Sequence, residues 1–203
     1  MVDANLAKQV EEIIKGLGLS TVVYETVMQD ISKYYYLGIE NLEKMIQFNV
    51  GTINPDVLSF LREYNFNLVK DMNEDLANKL RSSISRNLMS ADKRNMIKEI
   101  RDIFDTTQAR AKAIARTESA RAYAIGNYTA AKQAQERGIT IKKYWLAVLD
   151  DRTSPLCRRL SAKYSRDKAI GIDSYFIDDE TGWRGLMNPS HVNCRSEAVF
   201  FRV

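Results

Sequence analysis

Between Pro55 and Gly126 the chain contains neither glycine nor proline, so residues 56–125 hold none of the residues that most readily break a helix. A stretch of that length fits a compact protein only as long helices packed along their sides. Within it Leu76, Leu80, Ile84 and Leu88 recur every four positions, and so do Met96, Ile100 and Phe104. That spacing gathers each set on one helix face, where it serves as core. Ser90 is an N-cap for the helix that follows it, and Asp105-Thr106-Thr107 reads as a break before the alanine-rich stretch 108–137. Gly138 supplies the C-cap.

Upstream, residues 6–14, 22–37 and 39–48 also have helical spacing. Gly16 and Gly18 give a turn, and Thr52-Ile53-Asn54-Pro55 signals a helix start. The consecutive rings Tyr34, Tyr35 and Tyr36 cannot all share one helix face, so one or two pack inward and the remainder is left for a partner. Beyond Gly138 the texture changes. Residues 139–149 are rich in β-formers, 178–182 (Asp-Asp-Glu-Thr-Gly) read as a turn, and 197–202 as a final strand. The expected fold is mainly α with a small α+β C-terminal unit, the helical N-terminal region packing on a short β-containing module. Its expected segments are 1–54 (helical, partner-docking), 55–138 (helical core) and 139–203 (the small α+β unit).

The net charge of +4 conceals an asymmetry. Residues 1–75 carry 6 basic and 12 acidic side chains, whereas 92–143 carry 12 basic and 6 acidic ones. The acidic end is suited to a protein partner, since like charge repels phosphate. The basic middle is either a solvated helix face or a surface for nucleic acid or an acidic protein, with Lys93, Arg94, Lys98, Arg101, Arg110 and Lys112 as the candidate DNA-facing set. Such contacts would fall on phosphates and carry no sequence preference. No apolar run reaches the roughly 18 residues that a membrane span needs, and the first residues lack the pattern of a signal peptide, so an intracellular protein is expected.

Cys157 and Cys194 are the two cysteines and His191 the one histidine. His191 stands three residues before Cys194, a metal-ligand spacing, and thiolate with imidazole suits Zn²⁺. A fourth ligand would come from Asp150, Asp151 or Asp179. Reduced, unligated thiols and a Cys157–Cys194 disulfide are the alternatives. A thiol with a histidine is also a nucleophilic pair in principle, but no thiol-hydrolase signature surrounds Cys157, and phosphate-loop, dinucleotide and HExxH patterns are absent. In the helix, Arg116-Thr117-Glu118 places Glu118 three residues before Arg121, the spacing of an ion pair along one face. Glu118 is expected to be buried and to dock the helix on the C-terminal unit.

The order of these elements carries a resemblance. Ile114-Ala115-Arg116-Thr117-Glu118, Asn127, Gly138, Trp145, Asp150-Asp151-Arg152-Thr153 with Cys157, and Asn188-Pro189-Ser190-His191-Val192-Asn193-Cys194-Arg195 are together similar to the phage Mu F-like minor head protein family. The resemblance spans roughly residues 55–203. It implies a minor head protein of a tailed phage or prophage, assembled in the bacterial cytoplasm and residing inside the head. Such a protein would bind the portal or major capsid protein and act in head morphogenesis and DNA ejection. It also implies structural roles for Arg116, Glu118, Asn127, Trp145, Asp151, Arg152, Asn193 and Arg195. Ser154 and Ser196 stand where many members have cysteine, which thins the metal-like cluster. The competing expectation is a phage enzyme, peptidase-like through Cys157 and His191 or ADP-ribosyltransferase-like through Glu118.

Overall fold

The computed structural model describes residues 19–51, 55–90 and 93–203. Among the described residues three long helices come first: α1 (Leu19–Ile46), α2 (Pro55–Ser90) and α3 (Lys93–Glu136). The fold is mainly α with a small α+β C-terminal part. Pro55 opens α2, where its missing N–H costs nothing. The expected break at Asp105-Thr106-Thr107 does not occur, and α3 runs through it. Thr106 Oγ1 donates to the carbonyl of Asp102 at 2.8 Å, so the hydroxyl is satisfied by the helix it was expected to interrupt. Gly138, at φ +87°, ends the helix as expected, with its N–H on Gln135 O and that of Ile139 on Ala134 O.

The chain divides into two compact units, Met1–Gln29 with Arg62–Ala113, and Asp30–Leu61 with Ile114–Val203. Both are discontinuous and cut across the segments 1–54, 55–138 and 139–203. In the first unit Leu76 and Leu80 are buried, as their spacing requires. Ser83 donates to Glu99 at 2.6 Å, and Asp75 pairs with Lys79 and Arg110. The side chains of Ile84, Leu88, Met96, Ile100 and Phe104 lie outside the described residues, as do residues 6–14.

The second unit holds the chemistry. Ile31, Tyr35, Ile39, Leu42 and Ile46 form the buried stripe of α1. Burying each contributes about 1.5–3 kcal/mol. In α3, Ala122, Ala124, Ala130, Ala131 and Ala134 are all buried as well. Gly38 and Gly126 let the backbones meet. A Cβ on Gly126 would fall on the Tyr35 carbonyl oxygen, and one on Gly38 on that of Tyr123. Of the tyrosine run, Tyr35 is fully buried, Tyr34 half-buried and Tyr36 exposed. The buried stripe of residues 31–46 therefore belongs to the core of this unit, and among those residues only the outer face is free for a partner.

The sheet of the C-terminal part has β1 (Ile141–Leu146) at its centre, between β2 (Ile170–Gly171) and β5 (Glu197–Arg202). All pairings are antiparallel, and β1 matches β5 from Ile141↔Arg202 to Leu146↔Glu197. Helix α4 (Pro155–Lys163) follows β1. A two-strand hairpin, β3 (Phe176–Ile177) and β4 (Arg184–Gly185), flanks the expected turn, which Gly182 closes by donating to Asp178 O at 2.9 Å. Inward-pointing Trp145 stacks edge-on against Phe176 and Trp183, and Tyr164 against Phe176. Lys143 shares Trp145's side of the strand. It is fully buried, with Nζ donating to the carbonyls of Ile172 and Leu186 at 2.7 Å each.

Candidate metal centre

Ser154 ends the loop after β1 and caps α4, its Oγ accepting the N–H of Cys157 at 3.2 Å, with Pro155 in the first turn. This presents Cys157 at the mouth of a helix N-terminus. The opposing loop turns tightly: Cys194 N–H donates to His191 O at 3.2 Å, and Asn193 adopts φ +58°, a left-handed conformation that asparagine tolerates. Asn193 N–H reaches Thr117 Oγ1 at 3.0 Å, tying the loop to α3 at the Arg-Thr-Glu motif.

These two loops bring Cys157, His191 and Cys194 together, with their ligand atoms all within 4.8 Å of one another. The sulfurs are 3.8 Å apart, and His191 Nε2 lies 3.3 Å from Cys157 Sγ and 2.9 Å from Ser154 Oγ. His191 Nδ1 is 2.8 Å from Val192 O. A carbonyl only accepts, so Nδ1 carries the proton and the Nε2 lone pair points into the cluster. Ser190, which sequence reading passed over, sits between the sulfurs with Oγ 3.3 Å from Cys157 Sγ and 3.5 Å from Cys194 Sγ. Its only signal was its place beside His191. Hydrogen bonding from the Cys194 thiol, then from Ser154, Ser190 and Ser196, holds Cys157 below the ordinary thiol range. Cys194 is pushed up by Cys157 and by burial. The two thiols thus hold one proton between them more firmly than the other.

Asp150 and Asp151, expected to offer the fourth ligand, are not in the cluster. The Asp150 carboxylate is clamped by both terminal nitrogens of Arg195, one at 2.8 Å, and also accepts from Arg152 N–H and Thr153 Oγ1. Arg195 foremost keeps its carboxyl far below the usual range. Asp151 is exposed, and Asp179 pairs with Lys163. The expectation failed because every carboxylate nearby looks available in sequence, whereas a guanidinium from a distant loop had claimed the right one. Asp150, through Arg195, is the residue that joins the two loops.

The other motif residues divide between core and surface. Trp145 and Asn127 are buried, while Arg116 and Arg152 are exposed. Glu118 is 4 % exposed and pairs with Arg121 at 2.9 Å within α3. The docking expected of Glu118 falls instead to Thr117. Asp178, also missed in sequence, receives Arg159 in a bidentate pair at 2.7 and 2.8 Å and pins the hairpin to α4. Of the candidate DNA-facing residues, Lys98, Arg110 and Lys112 are exposed, with Arg110 engaged by Asp75. The side chains of Lys93, Arg94 and Arg101 lie outside the described residues.

Two spaces adjoin the cluster. A void of about 10 Å³, lined by Ser154, Cys157, His191 and Ser196 among others, has room for roughly one small atom. On the other side an open groove of about 550 Å³ runs between α1 and α3, walled by Tyr34, Leu37, Ala120 and Tyr123 and closed by the 194–197 segment. Burial pushes the Glu197 carboxyl up there, against a hydrogen bond from Tyr123.

Fold and site together define a mainly helical protein whose small C-terminal unit is cross-linked by polar side chains and a closed thiol–imidazole cluster. The family described as Phage Mu protein F like protein matches residues 78–199, and the chain belongs to it, which makes it a phage head morphogenesis protein. That match takes in every residue from the Arg-Thr-Glu helix to the His-x-x-Cys loop. No curated protein and no solved structure matches the chain significantly. No described helix is long and apolar enough to cross a membrane.

Proposed function

We propose that this protein is a minor head protein of a tailed phage or prophage that works by docking on the portal and the inner capsid surface and performs no reaction. Closure of the thiol–imidazole cluster carries this reading. Cys157 and Cys194 are 1 % and 5 % exposed; the void that Cys157 and His191 line is about 10 Å³, far below the 300 Å³ or more of a typical small-molecule site, and the open groove of about 550 Å³ is lined by Cys194 but by neither Cys157 nor His191. A thiol nucleophile needs a path to its substrate, and a glutamate spent on a neighbouring arginine is poorly placed for transferase chemistry. What stays open is binding surface. The outer face of α1 exposes Tyr36, Leu37 and Met45, aromatic and flexible apolar groups of the kind found at interface centres.

In this reading the protein is assembled in the bacterial cytoplasm and resides in the virion, inside the head. Packaged DNA meets the exposed Lys98 and Lys112 through phosphates alone, and a role in ejection follows from that location. The test is co-purification with the portal ring of the same phage. Wild-type protein should be retained, whereas Tyr36→Glu with Leu37→Glu should lose retention while melting normally. Undiminished retention by the double variant would overturn the docking face. Rapid alkylation of Cys157 in the folded protein, together with hydrolysis of a peptide or transfer from a nucleotide substrate, would favour the enzyme instead.

A further inference from the structure

We propose that Cys157, Cys194 and His191 hold a single zinc ion whose fourth position is taken by water resting on Ser154. Two zinc–sulfur bonds of about 2.3 Å at the tetrahedral angle place their sulfurs ~3.8 Å apart, and a sulfur and an imidazole nitrogen on one ion lie ~3.5 Å apart. The corresponding separations here are 3.8 Å for Cys157–Cys194 and 3.3 Å for Cys157–His191. The third pair, within 4.8 Å, has to close by ~1.3 Å, a movement within reach of side-chain rotation. A disulfide would need its sulfurs at about 2.05 Å, much nearer than they stand.

The imidazole is prepared for metal. Its Nδ1–H is held by the Val192 carbonyl at 2.8 Å, the outer-shell bond that commonly orients a histidine ligand and leaves Nε2 as donor. The adjoining void, about 10 Å³, has room for roughly one water beside the ligand atoms and excludes anything larger. Two sulfurs and one imidazole select zinc over magnesium or calcium, which require oxygen.

Ser154 decides the kind of site. Its hydroxyl already accepts the Cys157 N–H and lies 2.9 Å from His191 Nε2, so it is near enough to hydrogen-bond a zinc-bound water but is too weak a donor to replace a thiolate. The site therefore has three protein ligands and binds metal less tightly than one with four. A cysteine at 154 would sit on the cap of α4, one turn from Cys157, and would close the tetrahedron.

The experiment uses the full-length chain, purified without chelator from zinc-supplemented cells. Elemental analysis should find about one zinc per chain, and replacement by Co²⁺ should give the visible d–d and near-ultraviolet charge-transfer bands of tetrahedral thiolate coordination. Cys194→Ser should abolish retention. Ser154→Cys should tighten binding at least about tenfold in competition with a chromophoric chelator. The serine-to-cysteine variant keeps the proposal falsifiable even if Cys194→Ser fails to fold. Protein free of zinc that takes up neither Zn²⁺ nor Co²⁺, zinc that survives Cys194→Ser, or a mass lower by two hydrogens with both thiols blocked to alkylation would each overturn it. None of these outcomes bears on portal docking, which is read separately by retention on the ring.

Discussion

Within the unit that carries the site, the contact between α1 and α3 is held in a different way from the C-terminal sheet and its loops. The helix contact is mainly apolar. It brings an apolar stripe on α1 up to α3, with two glycines that let the backbones touch and with Asn41 Nδ2 donating to the Tyr123 hydroxyl at 3.2 Å. The C-terminal part buries Trp145, Phe176, Phe200 and Leu160 and adds polar links to that core: Asp150–Arg195, Asp178–Arg159, Lys143 on two carbonyls, and the thiol–imidazole cluster. A contact made of shape is sensitive to volume and indifferent to pH or metal. One made of polar cross-links tolerates volume changes better but answers to protonation and ligation.

The sharpest way to break the helix side is one methyl group. Gly126→Ala should destabilise the protein by at least about 3 kcal/mol, because its Cβ meets backbone that has no rotamer to give. Thermal melting of this variant beside Gly138→Ala, where a Cβ meets nothing within 4 Å, separates overpacking from the ordinary cost of a left-handed glycine. An equal loss in both would erase the distinction.

Glu118→Ala tests the polar side within a helix. It should cost about 2–3 kcal/mol, less than for a fully enclosed pair because Arg121 still reaches water. Melting like wild type would show that the ion pair contributes nothing. Next in size is Thr117→Val, which keeps the shape but removes the acceptor for Asn193 N–H. A loss of about 1–2 kcal/mol is expected in chemical denaturation. Faster amide exchange confined to the 188–196 loop would accompany it.

The smallest effect is a pH slope. Burial brings Lys143 down to about 8 in the folded protein, against about 10.4 unfolded. Between those values the unfolded chain binds more protons, so stability rises with pH. The penalty of a buried ammonium is present in full below pH 8 and relieved above it. From pH 8 to 9 the gain should be about 1 kcal/mol. Lys143→Met should flatten that slope, and an identical slope in the variant would assign it to another group.

The helices were legible because their cause is local. Freedom from breakers over 56–125 and the spacing of Leu76 and Leu80 determine helix and face whatever the rest of the chain does. The same holds for Gly138 as a cap. The false break at Asp105-Thr106-Thr107 shows where local reading fails, since a threonine that bonds to its own helix looks in sequence like one that ends it. Gly126 marked the end of the unbroken stretch, yet nothing local showed that Gly38, far upstream, would be its counterpart.

The site was half legible for the same reason. Composition singled out Cys157, His191 and Cys194, because rare residues that ligate metal stand out without any structure, and the motif order carried the family. Only tertiary structure decided that Asp150 belongs to Arg195, that Ser190 and Ser154 stand against the thiols and the imidazole, and that Thr117 receives the loop. Each of those is a choice of one partner among several chemically equivalent candidates. Sequence determined which groups this protein has to use. The distances created by folding determined which of them could reach each other, because a hydrogen bond or a ligand bond depends on tenths of an ångström and a spacing along the chain does not.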